Sequence, residues 1–252
     1  MSTELPRLSP SIAKILLDKS PKHAHAAHRL LGNAPKPDPS PSVLLGKSID
    51  SLVFGQCQVY EKVKNGEYPD GAIVLTPAPY KTAMEVSRQV HAALNERFGP
   101  AYANAAQVRA EWNSPSGNVP CSAVMDLYRD GTVLELKTAH DLSDNGIVKA
   151  IELYRYDLQI AAYAEAVTAL YGVKNPQLLF LFAETQAPYD TRWITPDSRM
   201  VGNGTKDWLK AVTLWKQCSD SGNWPGRGDA TLGPSQYRDI KEMTARAAEW
   251  LP

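Results

Sequence analysis

The chain has 252 residues, 43% of them apolar, and its 27 Lys plus Arg balance 27 Asp plus Glu. That is enough apolar material for one packed unit over residues 1–252, and the neutral balance excludes a globally basic nucleic-acid binder while leaving room for one basic groove and one acidic cluster. Cys57, Cys121 and Cys218 fit neither a disulfide frame nor zinc spacing, and no export signal opens the chain, so reduced thiols and a cytoplasmic protein without membrane spans are expected.

In chain order, Ser9-Pro10 and Ser20-Pro21 each start an apolar-periodic run, which predicts two short helices. His23, His25 and His28 resemble a metal cluster, but on a polar helix they are expected to serve packing or the surface. The proline-rich segment 33–42 reads as an extended linker that closes an N-terminal region, residues 1–42. A core over 43–222 and a C-terminal tail, 223–252, follow.

Within the core, VLLGKSIDSLVFG has a helical pattern broken by Asp50, AIVLTPA reads as a strand or extended segment, and KTAMEVSRQVHAALNERFG reads as an amphipathic helix stopped at Gly99. QVRAEW predicts a strand. CSAVMDLY and TVLELK predict a hairpin through Asp130-Gly131, the strongest short-range signal for a tight turn. A long helix is predicted from Asp144 or Asn145, with Ile147, Ile151, Tyr154, Leu158, Ala162 and Ala166 on its buried face. Its most apolar stretch, residues 158–173, contains Glu165, which argues against a membrane span. QLLFLFAE and TRWITP predict two more strands, and SRMVGNGTKDWLKAVTLWKQC contains a further helix. This order implies a mixed α/β core with helices on its faces.

The hairpin register places charge opposite charge. A two-residue turn sets Arg129 opposite Thr132, Tyr128 opposite Val133, Leu127 opposite Leu134 and Asp126 opposite Glu135. Glu135 and Lys137 then share the face of Asp126, and Leu134 and Leu136 point the other way. Opposed acids repel, so either the face is solvated with Lys137 as salt-bridge partner, or a divalent cation sits between the carboxylates. In the second case Lys137 would orient or help deprotonate water and offset charge on a phosphoryl group. Tyr156, Gln159 and Tyr163, spaced i, i+3 and i+7, would reach over the same place from the long helix.

An acid ending one strand, Glu-x-Lys on the next, and Gln-x-x-x-Tyr on a helix resembles the PD-(D/E)XK nuclease superfamily, in the branch typified by the RecB nuclease domain. The matching residues are Asp126, Glu135-Leu136-Lys137 and Gln159-Ile160-Ala161-Ala162-Tyr163. LSPS, SPKH, GKSID, AEWNSPSGNVPCSAVMDLYRDG, LELKTAHD, YRYDLQIAAY, FLFAETQAPYD and NWPG are similar, more closely, to the nuclease domain of the RecE family, the phage-type exonuclease VIII. Two positions depart from the pattern. Asp50 of Gly46-Lys47-Ser48-Ile49-Asp50 stands where the family has a metal-binding histidine, and Met125-Asp126 replaces the name-giving Pro-Asp.

The resemblance implies a restriction-endonuclease-like α/β fold, a mixed central sheet flanked by helices, and one RecE-like domain over residues 1–252 with the nuclease core at 43–222. It implies Mg²⁺-dependent digestion of linear duplex DNA, 5′ to 3′, leaving 3′ overhangs for phage-type recombination, with Mn²⁺ as a substitute ion. Asp126, Glu135, the Leu136 backbone carbonyl, Asp50 and Glu111 would be metal ligands. Lys137, Gln159 and Tyr163 would complete the catalytic set, and Arg155, Gln159 and Tyr163 would contact DNA. Double-stranded DNA ends, a RecT-like single-strand annealing protein and a ring-shaped homo-oligomer are the partners implied, in a phage or prophage setting. The alternatives are a structure-specific endonuclease on the same core, or a DNA-binding or assembly protein with a decayed site.

Overall fold

The computed structural model describes residues 5–35 and 38–228. Helices α1 (Pro10–Asp18) and α2 (Pro21–Ala27) start as their Ser-Pro signals require: the Ser9 and Ser20 hydroxyls accept the N–H groups of Ile12 and His23, and proline fills the first helical position. α3 (Pro41–Phe54) begins the same way at Ser40 and stops at Gly55, whose left-handed backbone (φ 74°) glycine tolerates without cost. Asp50 does not break α3, because a single aspartate costs well under ~1 kcal/mol of helix propensity and packing overrides it.

Short parallel strands β1 (Val59–Glu61) and β2 (Ile73–Leu75) lead to α4 (Pro77–Phe98) and a 3-10 turn, Pro100–Ala105. The main sheet follows: β3 (Ala106–Ser114), β4 (Val119–Arg129), β5 (Thr132–Ala139), β6 (Gln177–Glu184) and β7 (Thr191–Ile194), in that spatial order. All neighbours are antiparallel except β5 and β6, which run parallel and are joined by helices α5 (Asp144–Tyr154) and α6 (Tyr156–Tyr171). Helix α7 (Ser198–Ser221) closes the fold.

The sheet has a core on each face. Helices α1, α2, α6 and α7 pack on one side, over residues such as Trp112, Met125, Phe180 and Phe182; α3 and α4 pack on the other, over Leu127, Leu134, Leu136 and Leu181. This is the mixed α/β architecture predicted from element order. The N-terminal helices are part of that core, contributing Leu8, Ile12, Leu16 and Ala24. Of the expected tail, residues 223–228 are described and pack back on α1 and α2: Lys22 N–H donates to the Pro225 carbonyl, and Arg227 donates to the Lys19 carbonyl. The rest of the tail lies outside the described residues. No helix among them is long and apolar enough to cross a membrane. Glu165 inside the apolar stretch accepts the indole N–H of Trp112 at 2.8 Å, so its polarity is used in the core.

The predicted long helix is two helices. Arg155 adopts a left-handed conformation (φ 56°, ψ 47°) between α5 and α6. That geometry costs a non-glycine residue roughly 1–2 kcal/mol. The Arg155 guanidinium offsets it by pairing with Asp18, Asp157 and Asp207, from α1, α6 and α7. Because the break reorients α5, Tyr154 is 52% exposed instead of buried and Ile151 is only partly covered, while Ile147, Leu158, Ala162 and Ala166 are buried as predicted.

Candidate active site

The hairpin register is Leu127 to Leu134, Tyr128 to Val133 and Arg129 to Thr132, as the Asp130-Gly131 turn dictates. The fourth predicted pair does not form. Asp126 leaves the β4–β5 ladder, and it is also skipped between the pairs Ala106–Leu127 and Val108–Met125 on the β3 side. Strict alternation would put Met125 and Leu127 on one face, yet Met125 joins the α6/α7 core and Leu127 the α3/α4 core. The sheet changes face across Asp126. Opposite it, Gln107 carries a positive φ of 52°, and its amide lies 3.4 Å from Asp126 Oδ1.

Freed from the ladder, the Asp126 carboxylate accepts the Leu136 backbone N–H at 2.8 Å through Oδ2. In a strand, N–H and C=O of one residue leave on the same edge, so the Leu136 carbonyl faces this gap as well. Glu135 and Lys137, adjacent on the α6 face, are joined by a 2.7 Å ion pair. Gln159 of α6 donates from its amide nitrogen to Glu135 Oε1 at 2.5 Å and to the Tyr163 hydroxyl at 2.6 Å, and that hydroxyl donates to the Val124 carbonyl at 2.8 Å. The Tyr156 ring lies 4.4 Å from Lys137 Nζ, a cation–π contact. The predicted helical stripe thus meets the predicted hairpin acids.

Asp50 arrives from α3. Gly46, one turn earlier on the same helix face, sits against β5, where an added Cβ would stand 3.2 Å from Thr138 Oγ1. The glycine permits close approach of helix to strand, and the next turn presents Asp50 to Glu135. Asp50 also accepts from the Gln56 amide.

The charges respond to this crowding. Burial first, and then Glu135, push the Asp50 carboxyl from 3.8 up to about 6. Burial, Glu135 and Asp50 raise Asp126 well above the ordinary carboxylate range, against smaller opposing effects of Lys137 and the Leu136 N–H. Burial pulls the Lys137 ammonium down, but Glu135, Tyr156 and Asp126 more than offset it, so it stays cationic. In the metal-free site it is therefore a hydrogen-bond donor.

The donor set fits a divalent cation. Three carboxylates repel one another here, and the buried Glu135 Oε2 has no hydrogen-bond partner. Among the described residues no three His, Cys, Asp or Glu side chains are gathered into a ready coordination sphere. The acids are engaged by Gln56, Leu136, Lys137 and Gln159, and the buried Glu135 Oε2 is left as an oxygen that a cation could take.

Two sequence expectations change. Glu111 is not brought to the cluster: it pairs with Arg7 and Arg109 and lies opposite Ser122, roughly 13 Å along β4 from Asp126. Arg155 is committed to three carboxylates at the helix break rather than presented to phosphate. Tyr163 is buried, with its hydroxyl accepting from Gln159 and donating to the Val124 carbonyl. Both Gln159 amide protons are also in use, and a phosphate contact from them would require releasing Glu135 or Tyr163. Gln107 and Gln56 were missed, since neither forms part of a legible pattern. The histidines serve packing, as expected: His25 and His28 lie against Trp224 and Trp215, and His23 bonds the Ser20 hydroxyl.

A family described as "PDDEXK-like domain of unknown function (DUF3799)" matches residues 9–232. The chain belongs to this family. PD-(D/E)XK proteins are nucleases that generally use divalent metal ions, and the PDDEXK-like chain has the acids, lysine and mixed sheet of that fold. No curated protein matches it. A crystal structure of a "putative exonuclease" from Eubacterium rectale superposes with a TM-score of 0.65 at 17% identity, covering 95% of this chain and 93% of the other, and so shares the fold. A phage-related exonuclease from Haemophilus somnus is also similar, at 11% identity over 75% of this chain and 92% of the other, with a TM-score of 0.32.

Proposed function

We propose that this PDDEXK-like protein is a Mg²⁺-dependent exonuclease that digests linear double-stranded DNA from 5′ ends and leaves 3′ single-stranded overhangs. The observation that carries the reading is that Asp50, Asp126 and Glu135 lie near enough to repel one another, with the buried Glu135 Oε2 unpartnered and cationic Lys137 bonded to the same glutamate. The exonuclease name of the Eubacterium rectale protein supports the choice of activity by analogy.

Asp126, Glu135 and Asp50 would hold the ion, with the Leu136 carbonyl beside them. When bound, a divalent ion lowers the pKa of a coordinated water and polarises the phosphate. Lys137 would donate to the attacking water or a phosphoryl oxygen and offset charge as it develops. Gln159 keeps Glu135 in place, and Tyr163 keeps Gln159. Tyr156 covers the Lys137 ammonium. Beside Gln159, a cleft of about 320 Å³ lined by Ser9, Ser11, Arg109 and Ser122 offers hydroxyl and guanidinium donors to a neighbouring phosphate. Mg²⁺ is the ion proposed because the donors are all oxygen, and Mn²⁺ would substitute.

Processive digestion suits a ring-shaped homo-oligomer around the duplex, and the overhang suits a RecT-like annealing protein in phage-type recombination. Incubation of linear and circular duplex DNA with Mg²⁺ tests the reading. Loss of linear DNA alone is expected. Loss of both forms would mean an endonuclease, and loss of neither a binding protein. Duplexes labelled at each end should lose 5′ label first; early loss of 3′ label overturns the polarity.

A further inference from the structure

Gln107 and Asp126 leave the sheet as a pair. The β3–β4 register is the same on either side of them, Ala106 with Leu127 and Val108 with Met125, so no residue is inserted and the two are turned out of the ladder opposite each other. On β3 this takes the left-handed backbone at Gln107, φ 52°, which a residue with a long side chain adopts only at a cost in free energy. Such conformations persist where the surrounding structure over-determines them, and they cluster at functional sites. The 3-10 turn Pro100–Ala105 holds this one: its Tyr102 is buried in the α3/α4 core and bonded to His91 of α4, and β3 starts directly after it. The result is that Gln107 Nε2 stands 3.4 Å from Asp126 Oδ1, while the Leu136 N–H takes Oδ2. An amide oxygen turned toward Oδ1 would repel it, so the nitrogen is the end that faces the carboxylate.

We propose that Gln107 is a positioning residue of the metal site, whose amide N–H holds Asp126 Oδ1 and so fixes the plane of that carboxylate for a divalent cation. This deepens the nuclease reading and rests on its metal site. A carboxylate oxygen has two lone pairs, so with Gln107 on Oδ1 and Leu136 on Oδ2 each oxygen of Asp126 keeps one for the ion. The carboxylate then has no rotation left to lose when the ion binds. Outer partners of this kind typically change metal affinity or activity by about 10–100-fold. Gln107 itself contacts neither the ion nor the DNA.

The test measures Mn²⁺ binding to the full-length protein without DNA, by the loss of the free-ion electron paramagnetic resonance signal, beside thermal melts in a chelator. Gln107→Met keeps the length of the side chain and loses the donor. Gln107→Asn keeps the amide and tolerates the left-handed backbone better, but is one methylene too short to reach Asp126. Both should bind Mn²⁺ roughly 10–100-fold more weakly, with Gln107→Met melting near the parent and Gln107→Asn at or above it. Digestion by both should need more Mg²⁺, recover as Mg²⁺ saturates, and keep the parent's KM for DNA. A residue that merely plugs the open ladder would show the reverse, lower melts with unchanged Mn²⁺ affinity. Parent-like Mn²⁺ affinity in Gln107→Met overturns the role, as does a weakening that Gln107→Asn does not share. Failure of the parent protein to bind Mn²⁺ overturns the metal site and the role of Gln107 with it; Mn²⁺ binding by a parent that cuts no DNA overturns the nuclease reading alone.

Discussion

Asp126 Oδ2 accepts the Leu136 backbone N–H at 2.8 Å, where a continued β4–β5 ladder would supply a carbonyl. A side chain from one strand thereby closes the hydrogen-bond account of the next, and the strands part between Asp126 and Glu135. The same bond separates the structural part of Asp126 from its charge.

Asp126→Asn keeps an acceptor for Leu136 and removes the charge, so it should melt at or above the parent temperature and cleave DNA roughly 100-fold more slowly or worse. Asp126→Ala should be equally inactive and also less stable, by about 1–3 kcal/mol for the orphaned N–H. Glu135→Ala and Lys137→Ala should abolish cleavage as well. Thermal melts and end-labelled digestion check all four; near-parent rates in any of them would remove that residue from the site.

Asp50 should make the metal-free protein sensitive to pH. Its carboxyl is raised from 3.8 to about 6, so the folded state favours the protonated form: that contribution is complete below about 3.8 and is lost as pH rises through about 6. Asp50→Asn should flatten this part of the stability curve and melt above the parent near neutral pH. Melts in a chelator across the window test this, and parallel curves for the two proteins would exclude Asp50 as the group.

The identity of residue 50 should tune the metal. Asp50→Ala should raise the Mg²⁺ concentration needed for digestion, and Asp50→His should stay active with a shift in preference toward Mn²⁺, because imidazole favours softer ions than carboxylate does. Metal titrations on linear duplex DNA decide it. An unchanged Mg²⁺ requirement in Asp50→Ala would mean that Asp50 is not a ligand.

Arg155→Ala should act on stability, not on phosphate binding. Removing the partly covered guanidinium frees Asp18, Asp157 and Asp207 and should cost about 1–3 kcal/mol, below the figure for a fully buried pair. The salt dependence of DNA binding should keep its slope, since no phosphate contact is lost. A slope reduced by about one would return Arg155 to the DNA interface.

Sequence by itself determined the elements and most of the constellation. Ser-Pro starts, the Asp130-Gly131 turn and apolar periodicity are local signals, and they set α1, α2, the hairpin and the Gln159–Tyr163 stripe. Glu-x-Lys two residues apart on a strand was bound to share a face, whatever packed around it. Tertiary structure decided the rest, because it depends on partners distant in sequence. Arg155 breaks the predicted long helix only because Asp18 and Asp207 fold next to it. Glu111 lies near Asp126 along the chain's pattern but on a stretch of β3 that the register holds apart from it. Asp50 joins the acids because Gly46 lets α3 settle on β5. Gln107 meets Asp126 through a left-handed backbone that no glycine or asparagine announced. Periodicity assumes an unbroken ladder, and at Asp126 the ladder opens on both sides; there packing and hydrogen bonding, not spacing, choose which side chains meet.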